Sequence, residues 1–314
     1  MPDFIQKIPK AELHVHLEGS IEPATLRELD PMVEESAMER AYNFADFDAF
    51  LKSFGWIAGH LRQPRDYGLA AARLLASLHR QNVRYVEITL SAGVVLWRKH
   101  DLAEVHQALR EATRGGPVEC WWIWDAVRQW DYAIAERVVE LAAERVDDGV
   151  IAFGLGGDEA RGPALQFAPL FDYARKHRLR CVCHAGEVTG ARSIWDALEV
   201  GAERVGHGIA CVEDEALLRH LASNDVPLEV CLTSNHRTGA TARFGSHPLR
   251  RIVDAGVPVT LHTDDPAMFH CTLEDEYRAA MDLGLNREEL EHIAANSFRY
   301  AFRRQAAATD DPAE

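Results

Sequence analysis

Residues 66–90 read DYGLAAARLLASLHRQNVRYVEITL, and the change of rhythm inside this stretch decides the fold. Up to Arg80 the apolar side chains recur at helical spacing, with Tyr67, Ala70, Ala71, Leu74, Leu75 and Leu78 on one face. After Gln81 and Asn82 the pattern becomes VRYVEITL, rich in β-branched residues, as a strand buried on both faces should be. A helix that runs directly into such a strand is half of a βα repeat around a parallel sheet.

The same alternation extends in both directions. Strands are expected at 12–17, 83–90, 118–124, 150–155, 180–184, 204–207, 227–231 and 258–263, with helical patterns at 66–80, 102–112, 132–143 and 165–176. Asp101 is placed to cap the second of these helices. Eight strands with crossover helices predict an α/β fold, a closed (β/α)8 TIM barrel, as one domain over residues 1–314. A doubly wound open sheet is the alternative, but no glycine-rich phosphate loop follows any strand. Two connections are long. Residues 20–63 form a helical insert after the first strand, and TSNHRTGATARFGSHP (233–248) reads as a polar loop after the seventh. Both belong at the C-terminal rim of a barrel, where substrate loops sit. The tail after Gln305 reads as frayed.

Lys and Arg number 34 against 49 Asp and Glu, and the resulting net charge of −15 repels polyanions. Nucleic acid is therefore excluded as a partner and a small substrate expected. There is no signal-peptide core and no apolar run of membrane-spanning length, so a cytoplasmic protein without a membrane partner is expected. The six cysteines contain no C-x-x-C pair and read as buried free thiols in a reducing compartment.

Chemistry-bearing residues gather at strand ends. In ELHVHLEGS (12–20), His14 and His16 are two apart, so on a strand both imidazoles share a face. By itself the pair also fits a solvated strand face. CVCHAGE (181–187) ends a strand at His184, with Glu187 beyond an Ala-Gly turn; RVGHG (204–208) sets His207 between glycines. TLHTDDP (260–266) carries adjacent Asp264 and Asp265, which must point in different directions; a helix N-cap before Pro266 is the bland alternative. Their common placement at the C-terminal ends of barrel strands raises these clusters above turn or core residues. Three histidines and a carboxylate there suit a catalytic divalent metal.

The motifs PKAELHVHLEGS (9–20), GGDE (156–159), HAGE (184–187), ERVGHG (203–208), CLTSN (231–235) and HTDDP (262–266) resemble the adenosine deaminase family of the amidohydrolase superfamily. The resemblance implies one Zn2+ per chain held by His14, His16, His184 and Asp264. It implies that Glu187 protonates purine N1, that His207 orients and helps deprotonate the attacking water, that Asp265 meets N7, and that the Gly157 backbone meets N3. The implied reaction is hydrolytic deamination of a 6-aminopurine nucleoside to the 6-oxo product and ammonia. The strand VIAFGLGG (150–157) has no lysine of the kind that bridges two metals in binuclear relatives, which favours one ion.

Two positions depart from the best-known members. Glu18 stands where they have an aspartate that contacts the ribose 5′ hydroxyl, and His262 where Asn or Ser is usual. These departures leave adenosine and 6-amino-6-deoxyfutalosine, which carries an aryl extension at the 5′ end and belongs to menaquinone biosynthesis, as the expected substrates. The alternatives are adenine deamination or amide and ester hydrolysis on the same metal. A non-catalytic metal-binding barrel is the reading from outside enzymology, and the acid/base pair Glu187 and His207 argues against it.

Overall fold

The computed structural model describes residues 4–302; the tail after Gln305 lies outside them. Eight strands follow in sequence order around one sheet: β1 Lys10–His16, β2 Val83–Leu90, β3 Glu119–Val127, β4 Val150–Gly156, β5 Arg180–Ala185, β6 Arg204–His207, β7 Leu228–Val230 and β8 Val259–Leu261. Every neighbouring pair from β1 to β8 is parallel. The seam between β8 and β1 is a parallel bridge of Val15 with Asp264, in which His16 N donates to Asp264 O (2.8 Å) and Asp264 N to His14 O (3.0 Å). Closure of the barrel thus sets Asp264 beside the two histidines of β1. β1, β4, β6, β7 and β8 are buried at every position, which explains the apolar reading of β4 and means that β1 and β6 bury charged and polar side chains as well.

The helix Pro64–Arg80 precedes β2, and Leu102–Thr113 begins at Asp101, whose carboxylate accepts from Ala103 N and Glu104 N at 2.8 and 3.2 Å. The pattern at 165–176 splits into a 3₁₀ turn, Ala164–Phe167, and the helix Ala168–Lys176. Pro169 lacks the N–H that would continue one helix through both. No described helix is long and apolar enough to cross a membrane. All six cysteines are free, five of them buried and Cys120 half-buried.

The insert folds into the helices Pro23–Leu29, Glu35–Tyr42 and Phe47–Ala58. Phe44 and Phe50 pack on Phe269 beyond β8, with ring centroids 5.7 and 5.1 Å apart, which pins the insert over the barrel mouth. The expected polar loop at 233–248 is in part helical, containing Leu232–Arg237 and the 3₁₀ turn Ala242–Phe244. The carboxylate of Glu276 accepts from Leu232 N (2.6 Å) and Thr233 N (3.2 Å). That cap comes from 44 residues away, where local sequence cannot announce it.

Candidate active site

β1 turns His14 and His16 to the same face, β5 presents His184, and the turn after β8 presents Asp264 in the left-handed region (φ 62°). One ligand atom from each of these four lies within 4.8 Å of all the others. His14 Nε2 and His16 Nε2 are each 3.3 Å from Asp264 Oδ1, and His16 Nε2 is 3.2 Å from His184 Nε2. A tetrahedron with arms of about 2.0–2.1 Å, the zinc–nitrogen distance, has edges of about 3.3–3.4 Å. His14 Nδ1 donates to Glu229 Oε2 at 2.7 Å, so its Nε2 lone pair faces the cluster, and that buried nitrogen has no hydrogen-bond partner. The donor set and its spacing fit a zinc-sized divalent ion.

Glu187 lies beyond the β5 turn with its carboxyl buried. Burial first, then the neighbouring Asp264 and Glu159 charges, push its pKa well above the usual carboxyl range. Its carboxyl lies 3.5 Å from Thr238 Oγ1 and 3.6 Å from His207 Nε2. The turn itself is clamped by Glu159, which accepts from Gly186 N and Glu187 N at 2.8 Å, Val188 N at 3.1 Å, Thr189 Oγ1 at 2.5 Å and Ser193 Oγ at 2.6 Å. Although burial opposes its charge, the Arg128 field and these donors hold Glu159 below its ordinary pKa. Two carboxyls at one turn are thereby driven in opposite directions, Glu159 toward its charged form and Glu187 toward its neutral one. Gly206 explains the GHG context: a Cβ there would stand 2.8 Å from His14 Cε1.

Beside these groups opens a cavity of about 320 Å³, within the roughly 300–1,000 Å³ of small-molecule sites. His16, His184, Glu187, His207, Asp264 and Asp265 form its polar side. Phe47, Leu51, Phe54, Val94, Trp97 and Trp130 form the apolar wall. Gly157 also lines it, at φ 95°, where a side chain would strike Gln129 Oε1 (2.2 Å from its Cβ). Asp265 Oδ1 is buried without a partner, and burial followed by the Asp264 charge raises Asp265 well above its ordinary pKa.

Two residues singled out from sequence lie off the cavity wall. Glu18 is buried behind it: Oε1 accepts from Ser91 N (3.1 Å), Oε2 has no partner, and burial lifts the carboxyl to about 7. His262 faces the barrel interior instead, where Nδ1 accepts from Leu13 N (3.1 Å) and meets Glu12 Oε1 (2.9 Å), and Nε2 meets Thr260 Oγ1 (2.8 Å). His262 lies just beyond β8, on the side of Thr260 two residues earlier, and its contacts are with Glu12, Leu13 and Thr260.

Sequence reading passed over Glu159, Glu229 and Asp125. Asp125 joins the cavity because β3 runs to Val127, past the expected end at 124; its Oδ1 has no partner and burial raises it to about 6. The available signal was a carboxylate inside an apolar strand, as in PLEV (227–230) and WWIWDAV (121–127).

The family model described as Adenosine deaminase matches residues 9–309. The chain is 38% identical to the aminodeoxyfutalosine deaminase of Streptomyces avermitilis, over 95% of this chain and 88% of that protein. It is 35% identical to the adenine deaminase of Rhizobium meliloti, over 94% of each. Among solved structures, the adenine deaminase from Arthrobacter aurescens superposes with a TM-score of 0.86 at 28% identity, covering 94% of both chains. A barrel seam that seats Asp264 against His14 and His16, a match running almost the length of the chain and these relatives all lead to one assignment: the chain belongs to the adenosine deaminase family of the amidohydrolase superfamily.

Proposed function

We propose that the chain is a zinc-dependent hydrolytic deaminase of 6-aminopurine nucleosides, taking adenosine or, better, an adenosine-like nucleoside with a 5′ aryl extension such as 6-amino-6-deoxyfutalosine. The single observation that carries the reading is the placement of Glu187, a buried carboxyl that lines the same cavity as the candidate ligands His16, His184 and Asp264. When bound at His14, His16, His184 and Asp264, zinc would supply the Lewis acidity that makes water a nucleophile near neutral pH.

The protein's own groups do the rest. Carbon 6 of an aminopurine is a poor electrophile until N1 carries a proton, and Glu187 holds that proton because burial disfavours its carboxylate. Asp265, kept high by burial, offers an O–H to the N7 lone pair, and the Gly157 backbone, free of any side chain, lies against N3. His207 orients the attacking water. The wall of Phe47, Phe54, Trp97 and Trp130 favours a substrate longer than adenine, with an apolar group beyond the ribose. Arg98 lines the same wall with no carboxylate partner among the described residues, and would receive an acidic substituent on that group. Glu18 acts from behind Ser91 and not by direct contact.

Side-by-side kinetics on 6-amino-6-deoxyfutalosine, adenosine and adenine test the proposal, read as loss of the adenine absorbance band with ammonia release. The extended nucleoside is expected to have the highest kcat/KM. Glu187→Gln should lose about 10²- to 10⁴-fold in kcat while retaining zinc, the usual worth of general acid catalysis. Metal-replete enzyme that turns over none of the three ends the reading.

A further inference from the structure

Behind His207 runs a chain of three hydrogen bonds that ends on a backbone amide. Leu249 N donates to His247 Nδ1 at 3.1 Å. His247 Nε2 lies 3.2 Å from Asn235 Oδ1, and Asn235 Nδ2 lies 3.0 Å from His207 Nδ1. The residues come from four separate segments: the end of β6, the helix Leu232–Arg237, the loop before Pro248 and the helix Leu249–Asp254.

The protons along this chain are not free to choose. A peptide N–H is a donor that cannot invert, so His247 Nδ1 carries no proton and its ring proton sits on Nε2. That N–H requires an acceptor, which is the Asn235 carbonyl oxygen. The Asn235 amide then has only its NH₂ to turn toward His207, so His207 Nδ1 accepts. The His207 proton is therefore on Nε2, the nitrogen that faces Glu187 Oε2 (3.6 Å) and Asp264 Oδ2 (3.9 Å) across the reaction space. A cationic His207 would put a second N–H against the Asn235 NH₂, two donors facing each other.

We infer that Asn235 and His247 are positioning residues that lock His207 as the Nε2–H tautomer, so that His207 enters the reaction as a hydrogen-bond donor to the water and not as the base that takes its proton. An Nε2 that already bears hydrogen has no lone pair with which to accept. The water's proton then passes to Glu187, which has become a carboxylate on giving its own proton to N1 and whose Oε2 faces His207 Nε2. The tautomer assignment stands on the hydrogen-bond chain alone; only its meaning for the water rests on the deaminase reading.

Long-range proton–nitrogen correlation spectra of the zinc-loaded protein, made with ¹⁵N-labelled histidine and assigned against His207→Asn, read the tautomer directly. The expected spectrum shows a protonated Nε2 and a bare Nδ1 at His207; a protonated Nδ1 overturns the inference. Asn235→Asp puts an acceptor behind the ring and should move the proton to Nδ1. His247→Leu should lower kcat about tenfold with KM changed less than about twofold, the worth of one hydrogen bond felt in the transition state. His247→Gln, which can still donate to Asn235 Oδ1, should restore most of that loss. Unchanged kcat in both Asn235→Asp and His247→Leu overturns the inference as well. Should the wild type deaminate no purine, the spectra still decide the tautomer, and only the functional reading falls.

Discussion

In the lower half of the barrel Arg204 donates to Glu229 Oε1 at 2.5 Å and to Glu87 Oε2 at 2.6 Å, and to Tyr300 O at 3.0 Å. Tyr85 and the Phe302 amide complete Glu87 at 2.7 and 2.6 Å, and the Phe302 ring covers the guanidinium from 3.7 Å. In the upper half, equally removed from solvent, His14 Nε2, Asp125 Oδ1 and Asp265 Oδ1 are buried with no partner among the described residues. Buried polar groups are ordinarily paired, because desolvation without a hydrogen bond costs roughly 1–3 kcal/mol. The lower network meets that demand and is structure. The upper group leaves it open, which is how a site prepared for a metal and a polar ligand differs from a core.

Glu229 joins the two regions. Burial opposes its charge, yet Arg204 and His14 hold it down to about 2, so it stays ionised and fixes the His14 ring from below. The ion network at the base thereby orients a candidate ligand at the top.

This contrast can be broken most severely from below. Arg204→Met leaves Glu87 and Glu229 buried without their shared cation, and unfolding in denaturant should reveal a loss of about 3–5 kcal/mol, the usual cost of removing one partner of a buried ion pair. At the junction, Glu229→Gln should weaken zinc binding by about 10- to 100-fold, read by competition with a chelator, with a smaller loss of stability. An unchanged affinity would separate the two regions. From above, Glu187→Gln should stabilise the metal-free protein, and the sign follows from its raised pKa. The folded protein holds this proton more tightly than the unfolded chain. Its contribution is complete below the ordinary value of 4.5 and is lost as pH rises toward the folded value, so the advantage of the variant should grow with pH. Melting curves that stay parallel across that range would place Glu187 among satisfied groups.

Much of this was legible in the chain. The period change at 66–90 and the alternation of strand and helix patterns that extends from it located all eight strands, and β2 and β8 advertise themselves by their β-branched residues. The strand-end positions of His14, His16, His184, His207 and the Asp264-Asp265 pair followed from motif and alternation. What those positions could not convey was which polar residues face one another across the barrel. Glu276 caps a helix 44 residues away, and His247 reaches His207 through Asn235. Asp125 and Glu229 drew no reading at all, and His262 stood out only as a departure from the family pattern, whereas its partners are Glu12 and Thr260.

The sequence by itself determined the periodicities, and with them the strands, the crossover helices and the residue types that stand at strand ends. Those depend on neighbours within a few positions. The tertiary structure alone decided which carboxyls are charged, which nitrogen of each histidine carries its proton and which buried atoms remain without partners. A pKa or a tautomer belongs to an environment assembled from distant segments, and it exists only once the barrel has closed at Val15 and Asp264.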